Sequence, residues 1–250
     1  SNILVYPPKE WRKIIEILKP GIVVSCEWEG VRSLARNIEN QEGNVNRISE
    51  IARASIEYNV DHFITFGSQA EIGLTNRIIR EDSPLNPVTE YGKAKAHLYG
   101  NLESLFTDSK CVFTWIRLFS VYGPGMKNDW FLPSLINTLN KNSFFEMTKG
   151  EQEWNFLHIY DVVSAVQKIL EVKMKGIINV ASTEYVTLRE VAEFVASYLK
   201  KDSFLRIGAL DYAQDQALNL RALNTRLKSL GWSEKIKIKD GITELINLMV

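Results

Sequence analysis

A phenol and an ammonium stand four residues apart in Tyr91-Gly92-Lys93-Ala94-Lys95. On a helix that spacing projects both side chains from one face, so the cation can sit beside the phenol and favour its phenolate. A tyrosine with a reference pKa of about 10 is a poor acid or base at neutral pH. Beside a cation it becomes a usable proton donor and acceptor. With nine tyrosines in the chain, one such pair is close to what chance supplies, so the surroundings must decide. Ser68 ends the strand-like run His62-Phe-Ile-Thr-Phe66 one βα step earlier, where its hydroxyl can bind the same substrate oxygen that Tyr91 protonates.

The elements that must position these groups follow a βα rhythm. A strand is expected at residues 3–6. Trp11, Ile14, Ile15 and Leu18 share one helical face before Pro20-Gly21, and residues 21–26 read as the next strand. A helix follows at 44–58 with Ile48, Ile51, Ala52 and Ile56 buried, then a strand at 62–66 and a helix at 89–106. Residues 111–118 form a continuous apolar strand of the kind covered on both faces of a parallel sheet. Beyond Tyr122-Gly123-Pro124-Gly125 the pattern loosens. A helix at 132–139, strands at 144–148 and 156–159, a helix to 172 capped by Asp161, and a core strand at 176–180 are expected there. Thr187-x-x-Glu190 has the form of a capping box for a helix to Lys200. A short helix ended by Gly231 and a last one from Asp240 complete the chain. Such an alternation predicts an α/β fold, a doubly wound parallel sheet that binds ligands beyond the carboxyl ends of its strands, just after Cys26, Phe66 and Leu118.

Composition narrows the function classes. The 250 residues are 45% apolar, with 30 basic and 30 acidic side chains. No basic block suited to nucleic acid or a membrane surface appears. Cys26 and Cys111 carry no metal-ligand spacing and no disulfide framework, and no metal is expected. The two unpaired cysteines fit a reducing cytoplasm, the start Ser1 to Pro8 does not resemble a secretory signal, and no run approaches the length of a membrane span. His62, His97 and His158 stand singly and read as structural or surface residues. Trp28 and Trp130 line either a cleft or the core.

Several ordered motifs resemble the extended short-chain dehydrogenase/reductase family, the NAD(P)-dependent epimerase/dehydratase group acting on nucleotide sugars. Phe66-Gly-Ser-Gln-Ala-Glu-Ile-Gly73 resembles the strand end that bears the catalytic Ser or Thr, and Tyr91 to Lys95 resembles the Tyr-x-x-x-Lys pair. Arg117 to Gly125 is similar to Arg-Leu-Phe-Asn-Val-Tyr-Gly-Pro-Gly, Phe156-Leu-His-Ile-Tyr-Asp161 to Phe-Ile-His-Val-Asp-Asp, and Leu230-Gly231-Trp232 to a C-terminal Leu-Gly-Trp. The resemblance implies a Rossmann-like domain at 1–122 and 155–181, a smaller mixed α/β substrate-binding lobe at 123–154 and 182–250, NAD or NADP as cofactor, and a nucleotide sugar as substrate. It also implies a homodimer through the helices at 44–58 and 89–106. Tyr91 becomes the acid/base for hydride transfer between sugar and nicotinamide, Ser68 the oxygen-binding partner, and Lys95 the electrostatic and ribose ligand. Asn44, Phe119 and Val121 fall beside the cofactor, and Asn44 serves equally as an N-cap. Gln69, Ser120 and Trp154 fall beside the substrate, with Ser120 at a frequent asparagine and Trp154 at a frequent arginine, although Trp154 serves equally as a packing residue.

The residues after Ser68 restrict the reaction. Relatives that dehydrate the sugar carry Asp-Glu there, and those that epimerise and reduce carry cysteine at the second position. Gln69 and Ala70 move no proton. What remains is reduction of a 4-keto sugar or 4-epimerisation, and Trp154-Asn-Phe-Leu157 resembles the reductases of nucleotide-linked deoxy sugars.

The family's Gly-x-x-Gly-x-x-Gly turn, where the pyrophosphate rests on a helix N-terminus, has no counterpart here, since Gly21, Gly30 and Gly43 have the wrong spacing. The strand at 3–6 aligns with the family's third, as though two βα units were absent. Three readings follow: a further N-terminal part exists, another chain supplies it, or the lineage kept the fold as a cofactor-free sugar-nucleotide-binding or interaction protein.

Overall fold

Runs rich in β-branched and aromatic residues form the strands of this chain, and the amphipathic segments between them form its helices. The computed structural model describes residues 5, 10–31, 41–213 and 217–250. All but Val5 of the strand expected at 3–6 lies outside them. The chain divides into two units, the first made of Ser1–Gly73, Pro84–Arg117 and Leu170–Ile178, the second of Leu74–Ser83, Leu118–Ile169 and Asn179–Val250.

In the first unit the order is α1 (Trp11–Leu18), β1 (Ile22–Ser25), α2 (Gln41–Glu57), β2 (His62–Ser68), a 3-10 turn (Gln69–Glu71), α3 (Glu90–Phe106) and β3 (Val112–Leu118). The strands join β8 (Gly176–Val180) in a sheet of order β1-β2-β3-β8, and β1 runs parallel to β2 with Ile22 opposite His62 and Ser25 opposite Thr65. This is the expected α/β arrangement. Helix α2 begins three residues before the expected start, which puts Asn44 inside the helix, not at its cap. One core binds the unit: Ile48, Ile51 and Ala52 of α2, Leu98, Leu102 and Phe106 of α3, and Phe63, Phe113 and Trp115 of the strands. The rings of Phe63, Phe106 and Phe113 stack, with Phe106 and Phe113 5.0 Å apart.

The second unit holds β4 (Ser120–Tyr122), α4 (Phe131–Asn140), β5 (Phe145–Met147), β6 (Glu153–Trp154), β7 (Phe156–His158), α5 (Ile159–Glu171), β9 (Val186–Thr187), α6 (Leu188–Leu199), β10 (Leu205–Ile207), β11 (Asn219–Leu220), α7 (Thr225–Ser229) and α8 (Ile238–Met249). Its strands form small sets, β4 with β7, β5 with β10, and β11-β6-β9. Leu132, Leu135, Ile136 and Leu139 of α4 pack with Val191, Ala192 and Val195 of α6 and Ile242, Leu245 and Ile246 of α8. The capping box of Thr187 and Glu190 forms as expected. Asp161 does not cap: α5 starts two residues before it, and its buried carboxylate accepts from the Lys235 and Ile236 N–H groups at 3.0 and 2.9 Å.

His62 illustrates how the first unit treats a buried polar group. Thr114 donates its hydroxyl to the Met174 carbonyl, so the 2.7 Å contact from His62 Nε2 to Thr114 Oγ1 places the ring proton on Nε2. Burial, aided by the Lys173 charge, lowers the His62 pKa from 6.5 to about 4. The unfolded chain therefore binds this proton first as pH falls. Stability from His62 is complete above 6.5 and drains as pH drops toward 4, by on the order of 2 kcal/mol. Urea unfolding of the parent and of His62→Gln from pH 7 to 4 should show the steeper loss in the parent.

Candidate active site

The end of β2 is gripped from several sides. Lys95 of α3 is 3% exposed, and its ammonium donates to the Phe66 carbonyl at 2.6 Å. Its Nζ also lies 3.5 Å from the centroid of the Trp28 ring and 5.8 Å from that of Tyr91. Trp28 and Tyr91 meet edge to face at 5.7 Å. Tyr91 and Lys95 thus emerge from one helix face as the spacing required, with the indole of Trp28 against both. Burial pulls the Lys95 pKa down to about 7, and the negative charge of Glu71 opposes that fall.

Ser68 closes β2 and caps the 3-10 turn. Its Oγ accepts from the Ala70 N–H at 3.2 Å, while its own N–H donates to Glu71 Oε1 at 2.6 Å. Helix α3 starts at the cap Thr89, whose hydroxyl accepts from the Gly92 N–H at 3.1 Å. It touches the turn at Gly92, where a Cβ would strike the Ala70 carbonyl oxygen. A bare backbone at 92 is what lets the helix bearing Tyr91 approach the turn that follows Ser68.

The loop after β1 is tied to α2. Gln41 accepts from the Trp28 indole N–H at 2.8 Å, and Asn44 bonds both the N–H and the carbonyl of Glu29 at 3.0 and 2.9 Å. Arg47 pairs with Glu27 at 2.6 Å. The bonds of Asn44 reach Glu29 and Arg47 and none reaches Ser68, Tyr91 or Lys95, so Asn44 orders the loop that carries Trp28.

The other anticipated residues lie in the second unit, apart from half-buried Gln69 in the 3-10 turn. Phe119 is buried, and Ser120 and Val121 are half-buried on β4, opposite Phe156 and Leu157. The Trp154 ring lies tilted against that of Phe156 at 5.6 Å, and its buried indole N–H has no acceptor among the described residues. Sequence reasoning left Trp28 unassigned and passed over Glu71, although Ser68-x-x-Glu71 is itself a capping-box pattern.

A profile of the NAD dependent epimerase/dehydratase family matches residues 5–181. The chain belongs to that family. It is 32% identical to the CDP-abequose synthase of Salmonella typhimurium over 160 residues, 60% of this chain and 50% of that protein. It is 23% identical to the dTDP-6-deoxy-L-talose 4-dehydrogenase (NAD(+)) of Aggregatibacter actinomycetemcomitans, over 62% of this chain and 58% of that one. The chain spans about half the length of the first of these relatives. Its fold is shared with MoeE5 in complex with UDP-glucose and NAD, at TM-score 0.84 and 22% identity over 95% of this chain and 81% of that one. It is shared also with the UDP-glucose 4-epimerase of Thermotoga maritima, at TM-score 0.83 and 17% identity over 96% and 80%. Within this family fold the Ser68, Tyr91 and Lys95 side chains stand where strand β2 meets helix α3.

The contact at Gly92 gives a paired test on one helix. Gly92→Ala should destabilise by about 1–3 kcal/mol through overpacking against Ala70. Gly100→Ala, at an exposed position with open space around it, should stabilise by about 0.5–1 kcal/mol through helix propensity. Thermal melts of the two variants should move in opposite directions.

Proposed function

We propose that this chain carries the catalytic residues of an NAD(P)-dependent oxidoreductase that reduces the 4-keto group of a nucleotide-linked deoxy sugar in the cytoplasm. Re-reduction on the opposite face, a 4-epimerisation, needs the same residues. The observation that carries the reading is the burial of Tyr91 and Lys95 together on one face of α3, with the Lys95 ammonium bonded to the strand end that bears Ser68. The family supports the chemistry, and the 4-dehydrogenase among the relatives is named for C4 of such a sugar and for NAD(+).

The residues present fit the nicotinamide end of the cofactor. An ammonium has three donors, and Lys95 spends one on Phe66, so two are left for ribose hydroxyls. NADH or NADPH, when bound, would supply the hydride and leave as the oxidised coenzyme. Tyr91 gives the proton to the sugar oxygen. Ser68 Oγ already accepts from Ala70, so its O–H is the part left to donate to that oxygen and hold it for Tyr91. Asn44 orders the loop beneath, Phe119 and Val121 border the cofactor, and Gln69, Ser120 and Trp154 meet the substrate. The unpartnered Trp154 N–H suits a sugar or diphosphate oxygen. The first unit takes the dinucleotide and the second the sugar nucleotide, and two copies pair through α2 and α3.

The test mixes the purified chain with NADH or NADPH and nucleoside-diphosphate 4-keto-6-deoxy sugars, following coenzyme absorbance. Hydride transfer is expected, with Tyr91→Phe lowering kcat by about 10²–10⁴-fold while its circular dichroism is unchanged. Unaltered turnover in Tyr91→Phe removes the assignment. Saturable binding of sugar nucleotide with no binding of either coenzyme replaces it with a cofactor-free binding protein.

A further inference from the structure

Glu71 is wholly buried, and its carboxylate is surrounded by donors. Oε1 accepts from the Ser68 N–H at 2.6 Å and from Trp115 Nε1 at 3.2 Å. Oε2 accepts from the same Trp115 nitrogen at 3.1 Å and from Arg117 Nε at 3.2 Å. Trp115 and Arg117 are likewise fully buried. Burial raises the Glu71 pKa, and the Arg117 charge together with the Ser68, Trp115 and Arg117 donors acts against that rise in favour of the carboxylate. Room for it exists because residue 67 is glycine. A Cβ there would collide with Glu71 Oε1 and Trp115 Nε1.

A buried ion pair of this kind is often only structural. Two features tie this one to the site. Its shortest bond goes to the backbone of Ser68 itself, while Lys95 bonds Phe66 two residues earlier, so the same three-residue strand end is held from both sides. The helix that carries Lys95 also packs directly on this turn, where Gly92 meets the Ala70 carbonyl, and the Glu71 charge opposes the fall in the Lys95 pKa that burial causes. The groups facing Lys95 are Tyr91 from its own helix, Trp28 from the loop after β1, the Phe66 carbonyl from β2 and Glu71 from the 3-10 turn, with Arg117 of β3 behind Glu71. In the loop, Glu27 and Glu29 both pair with Arg47 of α2, at 2.6 and 3.8 Å.

We propose that Glu71 is a positioning residue for the Ser68–Tyr91–Lys95 site: its carboxylate fixes the backbone that aims the Ser68 hydroxyl and supplies the counter-charge for the Lys95 ammonium. This rests on the functional reading above for its role in turnover, but not for the charge coupling. Without Glu71, Arg117 and Lys95 would be two cations in one dry interior, and Lys95 would lose its proton at lower pH.

The coupling can be read with no cofactor or substrate, because an ammonium 3.5 Å from the indole centroid changes Trp28 emission when it loses its proton. The difference in fluorescence between the parent and Trp28→Phe isolates Trp28 from the other five tryptophans. That difference should titrate with a midpoint near pH 7 in the parent and not at all in Lys95→Met. In Glu71→Gln the midpoint should drop by about one pH unit or more. If that variant fails to fold because Arg117 loses its Glu71 partner, the charge-balanced pair Glu71→Gln with Arg117→Leu is titrated instead, and a smaller drop in the same direction is expected. Glu71→Asp, which keeps the charge and shortens the reach, should hold the midpoint near that of the parent. An unchanged midpoint in the folded variant overturns the proposal, since a merely structural role lowers stability without moving it. With substrate and coenzyme, Glu71→Asp should lower kcat by about 10²-fold at little changed KM, as Ser68 is misplaced. If the parent transfers no hydride, the functional reading fails while the fluorescence shift still stands or falls by itself.

Discussion

An ammonium taken out of water must be given partners or it gives up its proton, and at Lys95 those partners come from elements far apart in the chain. The Phe66 carbonyl arrives from β2, the indole of Trp28 from the loop after β1, and the charge of Glu71 from the 3-10 turn. Each is held in turn: Trp28 by Gln41 of α2, the loop by Asn44, and Glu71 by Trp115 and Arg117 of β3. Burying one charge therefore fixes how two helices and three strand segments meet. The cost of desolvation is offset only when all of them are in place, which makes the arrangement specific as well as stable.

Close backbone approach is the second half of the same constraint. Two glycines stand where side chains would push the partners apart, Gly67 over Trp115 and Glu71, and Gly92 against the Ala70 carbonyl. The polar network and the glycines depend on each other, because hydrogen bonds of 2.6 Å to Ser68 N–H and Phe66 carbonyl leave no slack for an extra methyl group. Interiors packed to this density shift as a unit or not at all.

Local pattern was enough to read most of the first unit. Amphipathic periodicity gave α1, α2 and α3, continuous apolar runs gave β1, β2 and β3, and the four-residue spacing placed Tyr91 and Lys95 on one face. What could not be read had no local signal. Strands β4, β6, β9 and β11 are two or three residues long, too short to show alternation, and exist through partners distant in sequence. Asp161 looked like a cap because caps are local, yet its acceptors are used by residues 235 and 236. Trp28 acquires its role only once α3 lies beside the β1 loop, and Glu71 only once β3 brings Arg117 beneath it. The resemblance pointed to Ser68, Tyr91, Lys95 and Asn44 but said nothing of Trp28 or Glu71.

The same network bears on which reaction the site can run. Eliminating water from a sugar needs an acid for the leaving hydroxide and a base for the neighbouring carbon, beyond the proton carried by Tyr91. In the turn after Ser68 the only carboxylate is Glu71, and its two oxygens are committed to four N–H contacts in a dry interior. To serve as an acid it would have to give up these donors and then swing out past Gly67, where a methyl group does not fit. Gln69 and Ala70 hold no transferable proton. Among the residues of this turn, then, the one acidic group is bonded into the interior that also holds the Ser68 backbone. One proton and one hydride are what reduction or oxidation at a single carbon requires, and dehydration requires more.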